Sequence, residues 1–384
     1  MQPDSIPLIM AIIIFLASLI SIRIGFSVAI IEVVTGAILG NLGILHAESW
    51  MTYIANLGGI ILTFLAGTEI NLRLMHEKFK ESFLLGFFSF FIPFVGVSSL
   101  TYLLAGWSAQ ASLIGGVALS TTSLAVVYSV LVESGLCNSD IGKIIMAATF
   151  ITDMGTAIAL SILFISPSLY TGIFIITAVI VIILATRYSH YLFNNPRIKG
   201  SVIEPELKFI FLLLIVFIYF ANLGDGHAVL PTFLLGLFMG RYLAENEKNR
   251  DVTLKLRTVA YAFITPVFFI IGGMNVSFAL IIGAFGLFAM LFILKMITKF
   301  MGVYLLACEY IPDGALYTTL LMSTGLTFGT IASVFGLQSG YINQEQYSIL
   351  VGVVIASAVI PTVIAQKWYR PLHSEDVSLL THSR

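Results

Sequence analysis

The stretch IIMAATFITDMGTAIALSILFI, residues 144–165, carries one charge, Asp153, near its middle. As a helix it is long enough to cross a ~30 Å hydrocarbon core, which takes about 20 residues. A carboxylate at the centre of such a span costs about 2.5–3.5 kcal/mol on insertion scales, so it persists where it has a partner and a task. A carboxyl poised between holding a proton and holding a metal cation is what exchange of the two species requires. The competing reading of the same residue is a structural ion pair tying two helices together.

The rest of the chain has the composition this stretch implies. Of 384 residues 58% are hydrophobic and 10% charged, with mean hydropathy +1.01. A water-soluble domain carries roughly a quarter charged residues, so that class is excluded. The net charge of −1 gives no sign of a nucleic-acid partner. Cys137 and Cys308 fit no metal spacing and read as small apolar fillers. Asp4 stands where a signal peptide would be basic, so the first apolar run is expected to stay as a span.

Apolar segments recur thirteen times, at about 5–22, 25–43, 50–70, 82–105, 110–134, 141–165, 168–187, 207–223, 227–241, 257–276, 277–303, 314–337 and 346–366. Of the nineteen Lys and Arg, all but Lys295 and Lys299 fall in loops that follow odd-numbered segments or in the C-terminal tail. Such one-sided basic bias records orientation and places the N-terminus outside and the C-terminus in the cytoplasm of a cell-membrane protein. Adding or removing a middle segment would destroy that partition. The longest connector, about 188–206, is too short for a soluble domain, and no phosphate-binding loop ending in Lys-Ser/Thr occurs. An ATP-driven pump is therefore disfavoured, and the chain reads as a single transport domain.

Five charges stand out within apolar segments: Glu32, Glu69, Asp153, Lys295 and Lys299. Lys295 and Lys299 are one helical turn apart and face nearly one direction. Either pairs with Asp153, with Lys299 favoured as the deeper; a long side chain could also snorkel to the interface. Glu32 either bonds to a neighbouring helix or lines an access funnel, and Glu69, near Arg73, reads as interfacial. His227 beside Asp225 reads as a loop pair. Leu119-Ser120-Thr121-Thr122-Ser123-Leu124 in the fifth segment echoes Met322-Ser323-Thr324-Gly325-Leu326-Thr327 in the twelfth. The copies lie an odd number of crossings apart and so run oppositely, the pattern of an inverted repeat around a secondary transporter's midplane site. Ser and Thr in membrane helices also often bond only their own backbone.

These residues, taken in order, resemble the monovalent cation:proton antiporters of the branch with NapA-type and Kef-type members. The similarity covers about residues 25–365. It runs through Glu32 to Gly40, Leu57-Gly58 to Thr68-Glu69, Thr122-Ser123-Leu124-Ala125, Thr152-Asp153, Gly236 to Gly240, Pro266 to Met274, and Lys299-Phe300-Met301-Gly302. The resemblance implies an all-α membrane protein of thirteen helices in two inverted repeats, with the fifth and twelfth broken and crossed. It implies a homodimer joined through a scaffold of helices at about 5–70 and 207–276. A mobile core at about 82–165 and 277–366 and a linker at 168–187 complete that picture. The cation and proton would bind at Asp153 with Thr152, Thr121, Thr122 and Ser123. Lys299 or Lys295 would compensate the charge, and Thr324, Gly325 and Thr327 would form the second break. No cofactor is implied beyond the ions themselves, Na⁺ first, then Li⁺ or K⁺, in exchange for H⁺.

Two departures set expectations. Thr152 stands where electrogenic members carry a second Asp, which implies electroneutral exchange. Gly325-Leu326-Thr327 is uncharged where relatives carry Arg-Gly-Glu or Gly-Ser-Glu, which removes an ion pair from the twelfth helix. A Kef-type K⁺/H⁺ exchanger is the alternative. A channel should show a selectivity-filter loop or a ring of charges, and an intramembrane enzyme a catalytic dyad; neither pattern is in the sequence. An organic-anion symporter would not need a buried Asp facing a Lys.

Overall fold

Backbone polar groups in hydrocarbon must be satisfied within the chain, so apolar runs of this length fold as helices. The computed structural model describes residues 5–24, 27–68, 78–137, 139–164, 169–194, 204–223, 228–245 and 247–369. Its helices are α1 (Ser5–Ile24), α2 (Val28–Asn41), α3 (Ser49–Thr68), α4 (Phe79–Leu103), α5 (Ala109–Ser120), α6 (Leu124–Glu133), α7 (Asp140–Leu163), α8 (Leu169–Asn194) and α9 (Pro205–Leu223). They continue as α10 (Val229–Glu245), α11 (Glu247–Val259), α12 (Thr265–Met274), α13 (Phe278–Gly283), α14 (Phe285–Tyr310), α15 (Ala315–Met322), α16 (Thr327–Gln338) and α17 (Gln344–Trp368). Among the described residues, ten helical stretches are long and apolar enough to cross a membrane, and three shorter apolar helices accompany them. Large apolar side chains such as Leu8, Phe15, Ile22, Leu103, Ile282 and Leu305 stand on the outer surface. In water such a surface would be a liability; in lipid it is the expected one. The chain is a multi-pass membrane protein.

Several helix ends are set locally. The Ser108 hydroxyl accepts from the Ala111 amide at the start of α5, and Asn343 and Gln346 form a reciprocal capping box on α17. A π-helical turn, Ala260–Ile264, joins α11 to α12 just before Pro266, whose missing N–H breaks the regular ladder.

The chain divides into two units. The first takes in residues 1–72 and 157–276, the second 73–156 and 277–384. In the first, α12 packs on α2 and α3, and α10 packs on α3 and α8. A Cβ added at Gly36 would strike the Ile270 carbonyl, and one at Gly273 the Val33 carbonyl, so α2 and α12 meet backbone to backbone. Gly67 and Gly236 bring α3 and α10 together in the same way, against the Phe233 and Phe64 carbonyls. Small residues serve this role in lipid, where helices associate through close packing rather than a hydrophobic drive. Several stretches that carry the family resemblance are thus packing surfaces. Gly236→Leu should destabilise the fold by about 3 kcal/mol, the upper end for overpacking, because the obstacle is backbone. An unchanged melting temperature in detergent would contradict this packing.

In the second unit, α4 packs on α5 and α14, α5 on α16, and α17 on α13, α14, α15 and α16. The fifth and twelfth apolar segments are each interrupted, at Thr121–Ser123 between α5 and α6 and at Ser323–Leu326 between α15 and α16. Three local readings differ from the sequence expectation. The segment expected at 277–303 is two helices, α13 and α14, and α14 runs on to Tyr310 with Lys295 and Lys299 well inside it. The basic connector after the ninth segment is helical over Glu247–Val259, because its sparse Val and Leu recur at helical spacing among polar residues. The connector expected from 188 begins later, since α8 continues to Asn194.

Candidate cation and proton site

The two helix breaks of the second unit touch. The Thr122 hydroxyl donates to the Met322 carbonyl at 2.8 Å, and the Ser123 amide donates to the Thr324 carbonyl at 3.2 Å. Thr121 leaves the helix with φ −68° and ψ 159°, an extended conformation that turns the chain out of α5. Each break presents one helix C-terminus, α5 or α15, and one N-terminus, α6 or α16. The first carries partial negative charge and favours a cation, and the second carries partial positive charge and favours a carboxylate.

Asp153 lies on α7 and is 2% exposed. One turn before it, the Thr149 hydroxyl reaches the Met322 sulfur at 3.6 Å, which brings this face of α7 to the second break. Lys299 lies within electrostatic reach of Asp153. Its ammonium donates to Ser89 Oγ at 2.9 Å and to Thr122 Oγ1 at 3.0 Å. Lys299 therefore links the carboxylate on α7, the break after α5 and helix α4. Gly302, one turn further on, makes this possible: a Cβ there would meet the Phe88 carbonyl at 2.5 Å, so α14 lies directly against α4 beside Ser89.

Lys295 is also fully buried, but its ammonium donates to Ser357 Oγ on α17 at 2.8 Å. Thr152 is fully buried on α7 and donates to the Thr149 carbonyl at 2.7 Å, which leaves its oxygen lone pairs able to accept. Thr121 Oγ1 and Ser123 Oγ are buried and make no hydrogen bond. A buried hydroxyl without a partner costs about 1–3 kcal/mol. Both lie in the break between α5 and α6, where their oxygen lone pairs could accept a hydrogen bond or coordinate a cation. Thr324 donates to the Leu321 carbonyl at 2.7 Å, Gly325 lies in the second break, and Thr327 opens α16 half-buried.

Glu32 is buried on α2, in the first unit. Glu69, Asp225 and His227 lie outside the described residues. Ser89 and Ser357 were not among the sequence candidates, and no sequence signal marks them. A Ser in an apolar helix usually bonds the carbonyl a turn behind it, and Ser357 does so as well, donating to Val354 at 2.8 Å. Among the described residues no group of three or more His, Cys, Asp and Glu could hold a metal ion. One carboxylate with hydroxyl and carbonyl oxygens suits a hard monovalent cation rather than a transition metal.

A sequence model of the family described as "Sodium/hydrogen exchanger, transmembrane" matches residues 10–367. The chain is 26% identical to a probable Na⁺/H⁺ antiporter 3 of Methanocaldococcus jannaschii, over 87% of this chain and 88% of that one. It is 24% identical to a Na⁺/H⁺ antiporter of Enterococcus hirae, over 94% and 96% of the two chains. In fold it is similar to the sodium proton antiporter MjNhaP1 of Methanocaldococcus jannaschii, with TM-score 0.72 at 15% identity, covering 96% of this chain and all of that one. With 10–367 of its 384 residues matched, the chain belongs to the transmembrane sodium/hydrogen exchanger family, a family of transporters rather than enzymes.

Proposed function

We propose that this protein is a secondary antiporter that exchanges Na⁺ for protons by alternating access, with Asp153 as the shared binding group. The observation that carries the reading is a mid-span carboxyl within electrostatic reach of Lys299, where Lys299 itself bonds to a helix break that holds two unpartnered hydroxyls. The names of the relatives support Na⁺ as the cation. Li⁺ suits the same oxygen donors. In the cycle the Asp153 carboxylate binds Na⁺ with help from the Thr121, Thr122, Ser123 and Thr152 oxygens and the C-terminal ends of α5 and α15. It releases the ion and takes a proton on the other side. Lys299 balances the carboxylate during the interval when neither is bound. The helices at about 82–165 and 277–366, which contain all these residues, are the moving core, and those at about 5–70 and 207–276 are the scaffold of a homodimer. The protein sits in the cell membrane with its N-terminus outside and its C-terminus in the cytoplasm, as the basic loop bias favours.

Proteoliposomes loaded with a pH-sensitive dye test the exchange. Adding Na⁺ outside should drive protons across, and the apparent Na⁺ affinity should fall as pH is lowered, because both species compete for one carboxylate. Proton flux indifferent to Na⁺ would overturn the function, and a pH-independent Na⁺ affinity would mean separate sites.

Stoichiometry rests on Thr152. A threonine hydroxyl contributes an oxygen to the ion but carries no proton across at physiological pH. With one carboxylate and a lysine that stays charged throughout, one Na⁺ moves against one H⁺. Transport rate and end point should then be the same with and without an imposed membrane potential. A rate that follows the voltage would show that a second proton moves.

A further inference from the structure

The site holds two buried lysines for one buried aspartate, and the cycle above uses only Lys299. Lys295 does not lie idle against lipid. It is fully buried, one turn from Lys299 on α14, with its ammonium anchored on Ser357 of α17. The space it fills is made by a glycine. A Cβ placed on Gly325, in the break between α15 and α16, would meet Lys295 Nζ at 2.6 Å, the Thr121 carbonyl at 2.9 Å and Thr121 Oγ1 at 3.2 Å. The ammonium thus reaches the crossing of the two breaks from the α17 side. It stands near the carbonyl of the residue whose hydroxyl is unpartnered. Lys299 approaches the same crossing from the α4 side, through Thr122. Lys299 lies within electrostatic reach of both Lys295 and Asp153.

We propose that Lys295 is a specificity-determining positioning residue: its amine, seated beside Gly325 and anchored by Ser357, weakens cation binding at the crossing whenever it is protonated and so sets the Na⁺ concentration at which the exchanger works. The inference rests on Asp153 being the cation site. An incoming Na⁺ must enter a low-dielectric region that already contains two ammonium groups. In such surroundings a like charge several ångströms away is costly, where in water it would be nearly screened. Tight binding is no advantage to a transporter, which must release the ion on the far side. A built-in repulsion offsets the attraction of the carboxylate, the hydroxyls and the helix C-termini without removing any of them. Gly325 is part of the device, because any side chain there would displace the ammonium.

The test compares wild type with Lys295→Gln, Lys295→Met and Lys295→Arg in proteoliposomes at one pH. Gln and Met remove the charge, Met with an unbranched chain that fills the same space. Both should lower the apparent KM for Na⁺ by roughly three- to tenfold, with kcat lower because release slows. Arg keeps the charge and should keep KM near wild type. Na⁺-dependent thermal stabilisation of the purified protein provides a second measurement that does not need turnover. Its midpoint should shift to lower Na⁺ in the Gln and Met variants. A purely structural role would change the melting temperature without Na⁺ and leave both the KM and the Na⁺ midpoint where they were, which would overturn the inference. So would a KM that rises in the neutral variants. Asp153→Asn run alongside separates the two claims. If it still exchanges Na⁺ for protons, the underlying site assignment has failed; if it does not and Lys295→Gln leaves KM unchanged, only the role of Lys295 has failed.

Discussion

Asp153→Asn is expected to abolish Na⁺-dependent proton flux while leaving the protein inserted and folded. Asn has nearly the shape of Asp, so the face of α7 that reaches the second break through Thr149 and Met322 is undisturbed. What disappears is the negative charge and the ability to bind and release a proton. A neutral amide offers one weak oxygen to Na⁺ in place of a carboxylate, and the proposed site residues include no second carboxylate. The substitution removes a buried charge with its cost of about 2.5–3.5 kcal/mol, but it leaves Lys299 without the carboxylate in its electrostatic reach, a loss of the same kind as in Lys299→Gln; the protein should insert and fold with a lowered melting temperature. Dye-loaded vesicles with matched protein amounts give the flux, and detergent melting gives the fold. Near wild-type exchange in this variant would end the proposed mechanism.

Lys299→Gln is expected to produce the larger loss of stability. Gln retains hydrogen bonding toward Ser89 and Thr122 but not the charge that faces Asp153. Removing one member of a buried charged pair costs about 3–5 kcal/mol, because the other is left uncompensated in low dielectric. The melting temperature of the purified protein should fall by several degrees. Na⁺ should restore part of the loss, since a cation at Asp153 supplies the missing positive charge. The gain from Na⁺ should therefore exceed that seen in wild type. Lys295→Gln, whose ammonium is anchored on Ser357 instead, should show the smaller loss. If Lys295→Gln melts far lower and Lys299→Gln melts as wild type, the two roles have been exchanged.

Hydropathy and charge made much of this legible in one dimension. Apolar runs of about 20 residues have no alternative to helix in lipid, so the segments and their membrane setting follow from composition alone. Asp153, Lys295 and Lys299 stand out because a charge in such a run is expensive wherever it packs. The short polar stretches at Ser120–Ser123 and Met322–Thr327 drew notice as an echo, and both segments break there.

Which charge meets which partner is a different matter, and it depended on packing between residues far apart in the chain. Lys299 reaches Ser89 and Thr122, 210 and 177 residues away, and Lys295 reaches Ser357 on another helix. A one-turn spacing places two lysines on one face but does not say that one turns toward α4 and the other toward α17. That choice is made by Gly302, which lets α14 approach Phe88, and by Gly325, which leaves room for the second ammonium. A missing side chain has no hydropathic signature, so the sequence supplied the charges, and only the close approach of the helices determined what each one faces.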